Sequence, residues 1–234
     1  MRHARVAYSG AVHEAVYAGG KLRLADGRVV SEDAVVWLPP FQPRTIIALG
    51  LNYADHAKEL AFNAQEEPLV FLKGPNALVG HRAQTRRPDD ATFMHYECEL
   101  AVVIGRPARR VPRAAAYDYV AGYTVANDYA IRDYLENWYR PNLRVKNRDG
   151  CTALGPWLVD RADVPDPMRL ALRTTVNGKV TQAGNTRDMI SDIPALIEYL
   201  SGFMTLDAGD VILTGTPANS RPMPACRSPA APTS

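Results

Sequence analysis

The chain has 234 residues, 47% hydrophobic and 22% charged, with a formal net charge of +2 at pH 7. That balance suits one soluble globular domain with room for a small appended module. So slight a charge gives no argument for a nucleic-acid or membrane partner. No apolar run is long enough to span a bilayer, and the first 20 residues lack the apolar core of a signal peptide. Cys98, Cys151 and Cys226 are scattered without a C-x-x-C pair, so no zinc or disulfide framework is implied and a reducing cytoplasm is expected.

Residues 1–42 read as a small β-rich N-terminal module. "ARVAYSG" and "HEAVYAGGKLRLADG" alternate apolar and polar residues, and Gly19-Gly20 and Asp26-Gly27 punctuate them as hairpins. Pro39, Pro40 and Pro43 make a stiff connector into a larger unit, 43–217. There, Thr45–Leu49 reads as a buried strand that breaks at Gly50 and leads into a short helix. On that helix His56 and Glu59 share a face at i and i+3. A carboxylate beside an imidazole can fix its tautomer for acid/base work, and an exposed pair with no task is the plain alternative. "EPLVFLKGPNALVG" is a strand ending at Lys73 before a Gly-Pro turn. Lys73 either points into a site or, as the favoured reading, carries its ammonium to solvent.

The stretch Met94–Gly105, "MHYECELAVVIG", reads as one extended strand. Alternation puts His95, Glu97, Glu99, Ala101 and Val103 on one face. At about 3.3–3.4 Å per residue, Glu97 and Glu99 are about 7 Å apart. Two acids on one face repel each other unless a cation sits between them, and a hard divalent ion prefers such oxygen ligands. The alternative is a solvated edge strand.

"RPARRVPRAAAYDYV" is a basic, solvated loop and a short helix, and "VAGYTVANDYA" is a strand ending at Asn127-Asp128 before the helical "IRDYLENWYR". Asp128 is therefore either a helix N-cap or a third oxygen ligand. Arg144, Lys146 and Arg148 sit on a loop that can meet an anionic substrate. "LRTTVNGKVTQ" is a hairpin about Asn177-Gly178. Ile193, Leu196, Ile197 and Leu200 form the apolar stripe of an amphipathic helix. "GDVILTGTP" is a strand and turn, and 218–234, rich in Pro, Ala and Ser, is expected to be disordered or extended.

Six stretches carry a family resemblance: "ALGLNYADHAKEL", "EPLVFLKGPNAL", "MHYECELAVVIG", "DYVAGYTVANDYAIRDYLENWYRPNLRVKNRDG", "LRTTVNGKVTQ" and "GDVILTGTP". From Thr45 to Pro217 the chain resembles the fumarylacetoacetate hydrolase superfamily. Its long "NDYAIRDYLENWYRPNLRVKNRDG" run is similar to the isomerase/decarboxylase branch of 4-hydroxyphenylacetate catabolism. The resemblance implies an α+β fold, mostly β, with a mixed β-sandwich or roll wrapped around a helix. It implies a divalent metal, Mg²⁺ or alternatively Mn²⁺, held by Glu97, Glu99 and Asp128. It implies a small-molecule 2-oxo carboxylate substrate, with Lys146, His56 and Glu59 as catalytic groups. Arg132, Arg144, Lys73 and Thr216 would bind that substrate, and the assembly would be a cytoplasmic homodimer.

The expected activity is decarboxylation or enol–keto isomerisation of a 2-oxo di- or tricarboxylate. The alternative enzyme reading is hydrolysis of a C–C bond in an acylpyruvate. After Pro217 the sequence departs from the family pattern of further valine-rich strands, which suggests a truncated frame. It therefore also motivates a non-catalytic alternative, an inactive or binding-only product.

Overall fold

The strand that carries Glu99 is covered on both faces. In the computed structural model of the chain, which describes residues 1–55, 67–135 and 142–220, every side chain of Cys98–Ile104 is buried. Among the described residues the strands are β1 (Arg2–Tyr8), β2 (Ala11–Ala18), β3 (Lys21–Leu24), β4 (Val29–Ser31), β5 (Val36–Trp37), β6 (Ile46–Gly50), β7 (Leu69–Lys73), β8 (Leu78–Val79), β9 (Met94–His95), β10 (Cys98–Ile104), β11 (Val120–Asp128), β12 (Ala130–Ile131), β13 (Thr152–Leu154), β14 (Leu158–Asp160), β15 (Ala171–Val176), β16 (Lys179–Asn185) and β17 (Val211–Leu213). Two α-helical segments matter below, α1 (Leu143–Lys146) and α2 (Ile193–Phe203).

One large sheet runs β4-β3-β2-β1-β14-β11-β10-β17-β6-β7, with β5, β8 and β13 attached beside that path. β10 pairs antiparallel with β11 on one side and β17 on the other, so the edge-strand reading of this stretch is overturned. The expected single strand is also interrupted. Tyr96 and Glu97 separate β9, which pairs with β12, from β10.

Alternation sorts the core residues into two faces. Leu100, Val102 and Ile104 join Ile47, Leu49 and Ile212 on the side covered by α2. Ala101 and Val103 join Ile46, Ala48, Leu154 and Leu213 on the other. α2 begins where Asp192 accepts a hydrogen bond from Ala195 N–H at 2.9 Å. Its stripe of Ile193, Leu196, Ile197 and Leu200 is buried against the sheet, each side chain contributing about 1.5–3 kcal/mol. The result is the expected α+β, mostly β fold, a mixed sheet packed over a helix. No helix of the described residues is long and apolar enough to cross a membrane.

β1–β5 carry their own apolar cluster around Val6, Leu22 and Trp37, yet β1 continues the large sheet through β14. At the β15–β16 hairpin, Asn177 and Gly178 both take positive φ, 51° and 77°, as a type I′ turn demands.

Candidate metal centre

The ladder between β10 and β11 assembles the acidic groups. Cys98 pairs with Asn127, so the next rung sets Glu97 against Asp128, and Asp128 N–H donates to Glu97 O at 2.9 Å. Directly opposed residues have Cβ atoms about 4.5–5.5 Å apart on the same face, and Glu99 follows two residues along it. One carboxylate oxygen each from Glu97, Glu99 and Asp128 therefore lies within 4.8 Å of the others, and all three residues are buried. Asp128 is not a helix N-cap: β11 leads through Tyr129 into β12, and its carboxylate bonds to side chains instead.

Three cations neutralise this cluster. Lys73, at the end of β7, places Nζ 2.7 Å from Asp128 Oδ1 with its side chain fully enclosed, which overturns the expectation that its ammonium reaches solvent. The Gly74 break ends the strand where Lys73 faces inward, and Lys146 O accepts a further hydrogen bond from its ammonium. Lys146 lies on the single turn α1, not on an open loop. Its Nζ donates to Glu97 Oε2 and, at 2.9 Å, to Asp128 Oδ2. Arg132, at the 3₁₀ turn Arg132–Tyr134, donates from Nη2 to Glu97 Oε1 at 2.7 Å.

Burial raises the Glu99 pKa well above the ordinary carboxylate value, and neighbouring Asp128 adds to the rise. Its hydrogen-bond donor is Gly215 N–H, 2.9 Å from Oε2. Burial also pushes Asp128 upward, but Lys146 and Lys73 outweigh it and hold the group below its ordinary value. For Lys146, burial alone would favour the neutral amine. Asp128, Glu97 and Glu99 reverse that and keep the ammonium charged. A buried, all-oxygen donor set of three carboxylates fits a hard divalent cation such as Mg²⁺ or Mn²⁺.

The remaining expected residues divide. Thr216 is buried at the site, where Oγ1 donates to Cys98 O at 3.0 Å and accepts from Gln182 Nε2 at 2.8 Å. Arg144 does not join the cluster's hydrogen bonds. It is exposed, stacks 3.8 Å over the Tyr134 ring and pairs with Asp90 at 3.5 Å. His56 and Glu59 lie outside the described residues. Sequence reasoning passed over Gln182 and Gly215. The only signal for the second was a glycine at a strand end beside the "GTP" turn.

The sequence profile of the fumarylacetoacetate (FAA) hydrolase C-terminal family matches residues 45–231, beginning where the resemblance begins and running past Pro217. A Salmonella dublin protein named 4-hydroxyphenylacetate degradation bifunctional isomerase/decarboxylase is 63% identical over 173 residues, 74% of this chain and 40% of that protein. The chain thus spans about two fifths of the length of that curated relative. A crystal structure of 5-carboxymethyl-2-hydroxymuconate delta-isomerase from Mycobacterium smegmatis superposes with a TM-score of 0.84 at 39% identity, covering 95% of this chain and 90% of that one. Maleylpyruvate hydrolase from Sphingobium sp. SYK-6, in complex with manganese (II) ion and pyruvate, gives 0.80 at 27% identity over 95% and 91%. With the family profile covering most of its length and the fold shared with these enzymes, the chain belongs to the fumarylacetoacetate hydrolase C-terminal family.

Proposed function

We propose that the chain carries the metal-dependent site of an enzyme that decarboxylates or tautomerises a 2-oxo di- or tricarboxylate in the catabolism of aromatic acids such as 4-hydroxyphenylacetate. The observation that carries this reading is the convergence of Glu97, Glu99 and Asp128, all buried, with one carboxylate oxygen from each within 4.8 Å of the others. The isomerase/decarboxylase named among its relatives supports the reaction class.

Glu97, Glu99 and Asp128 would hold Mg²⁺ or Mn²⁺. When bound, such an ion supplies Lewis acidity to a 2-oxo acid, stabilising the negative charge that develops as CO₂ leaves or a proton is lost. The three carboxylates and the three cations Lys73, Lys146 and Arg132 cancel formally, so a divalent ion leaves the pocket positive. That excess favours an anionic, chelating ligand over a neutral one. Lys146 is fully charged and points between Glu97 and Asp128, so it can hold a substrate oxygen or deliver a proton at Nζ. Arg132 is anchored on Glu97 and retains further N–H donors for a carboxylate. The resemblance assigns the acid/base pair to His56 and Glu59.

The test is Mg²⁺- or Mn²⁺-dependent CO₂ release from 5-oxopent-3-ene-1,2,5-tricarboxylate, with tautomerisation of 2-hydroxyhepta-2,4-diene-1,7-dioate followed in parallel. Glu97→Ala and Asp128→Ala should abolish both, and metal-dependent turnover that survives these changes rejects the assignment. A second reading, C–C hydrolysis of an acylpyruvate, is favoured by the similarity to maleylpyruvate hydrolase. Turnover of an acylpyruvate with neither of the first two substrates consumed would select it.

A further inference from the structure

Gln182 closes a hydrogen-bonded ring around the residue that separates the two glutamates. Cys98 N–H donates to Gln182 Oε1 at 3.2 Å, Gln182 Nε2 donates to Thr216 Oγ1 at 2.8 Å, and Thr216 Oγ1 donates to Cys98 O at 3.0 Å. The amide is otherwise saturated: Oε1 accepts from Thr174 Oγ1 at 3.0 Å, and Nε2 donates to Pro217 O at 2.8 Å. Its orientation is unambiguous, since a backbone N–H can only donate and the Pro217 carbonyl can only accept. Gln182 is 1% exposed.

The placement has a mechanical consequence. Cys98 N–H belongs to the peptide plane shared with Glu97, and Cys98 C=O to the plane shared with Glu99. Glu97 O faces β11, where it accepts from Asp128 N–H. The polar groups of Cys98 therefore face the opposite side of the strand. On that side β17 pairs only with Ala101–Val103, and among the described residues no strand extends the backbone ladder to Cys98. The Gln182 and Thr216 side chains occupy the place a strand would take, and fix both peptide planes that aim the glutamates.

We propose that Gln182 is a positioning residue for the three-carboxylate site, setting the separation of Glu97 and Glu99 and through it the affinity for a divalent cation. This inference rests on the metal reading above. Groups that orient metal ligands typically change affinity by about 10–100-fold when removed.

The experiment titrates the whole chain with Mn²⁺ alone, reading free Mn²⁺ by electron paramagnetic resonance, with a thermal melt of each variant followed by circular dichroism. Gln182→Met keeps the side-chain length but loses every hydrogen bond. It should weaken Mn²⁺ binding about ten-fold or more while still melting cooperatively. Thr174→Val removes the hydrogen bond on the far lone pair of Oε1 and the Thr174 hydroxyl's contact with the Cys98 thiol, but leaves the Cys98 backbone bonds in place. It should lower Tm yet leave the Mn²⁺ Kd within about two-fold, since the ring on Cys98 is intact. Should Gln182→Met lose its cooperative melt, the same ten-fold criterion is read on Thr216→Val, which opens the ring at its other corner. Wild-type binding with a Kd unchanged in the variant read overturns the positioning role alone. No Mn²⁺ binding by the unaltered chain overturns the metal reading and this inference with it.

Discussion

Lys73 Nζ lies 2.7 Å from Asp128 Oδ1 with neither side chain reaching solvent, and Lys146 approaches the other oxygen of the same carboxylate at 2.9 Å. Two buried ammonium groups thus share one aspartate. Removing one partner of a buried pair leaves charge uncompensated. Lys73→Met should cost about 3 kcal/mol, less than an orphaned aspartate because Lys146 stays. The lysines hold Asp128 below its ordinary value of 3.8, so its stabilising contribution is complete above that pH and is lost as pH falls toward the depressed value. Without Lys73 the native pKa rises, and the acid-unfolding midpoint of the chain in EDTA should move to higher pH. Urea melts across pH 3–7 read both effects, and an unchanged acid limb would show that Lys146 alone sets the Asp128 charge.

Gly215 holds the other end of the acidic cluster. Its φ is +85°, and a Cβ there would meet the Asn52 Cβ at 3.0 Å. Asn52 cannot readily retreat, because its amide is tied to Ser191 N and O and to Thr214 O. Gly215→Ala should therefore combine left-handed strain of about 1–2 kcal/mol with displacement of the N–H that serves Glu99. The expected result is a Tm lower by about 3–6 °C together with weaker Mn²⁺ binding. A variant as stable as the unaltered chain would show that the turn relaxes without strain.

The pattern of the sequence carries some of these features and not others. The shared face of Glu97 and Glu99, the strand ending at Asp128 and the apolar stripe of α2 follow from periodicity, because a two- or 3.6-residue repeat reports which side chains share a face, although the break at Tyr96–Glu97 does not. Their mutual register does not, and it is register that brings Asp128 opposite Glu97. Lys73 shows a second limit. A lysine at a strand end is ambiguous by itself, and only the pairing of β7 with β6 and the return of α1 enclose it. Gln182 shows a third. The hairpin shifts register between Thr174 and Thr175, so Thr174 pairs with Gln182 while Thr175 pairs with Val180. One extra residue changes which side chains face the sheet, and nothing in "KVTQ" announces it. Arg144 shows a fourth: it sits two residues from the buried Lys146, yet turns outward onto Tyr134, and nothing in the sequence separates the two orientations.

Tyr123 provides a test of the core away from the site. It lies on β11 in the apolar cluster under α2, and its buried hydroxyl has no hydrogen-bond partner among the described residues. Burial accordingly raises its pKa. An unpaired buried hydroxyl forfeits its hydration without compensation, so Tyr123→Phe removes a cost and keeps the ring packed. The variant should gain up to about 1 kcal/mol, raising Tm by about 2–4 °C, with Mn²⁺ affinity unaltered. A loss of 1 kcal/mol or more would show instead that the hydroxyl is satisfied in solution, and that the cluster under α2 holds a polar contact of its own.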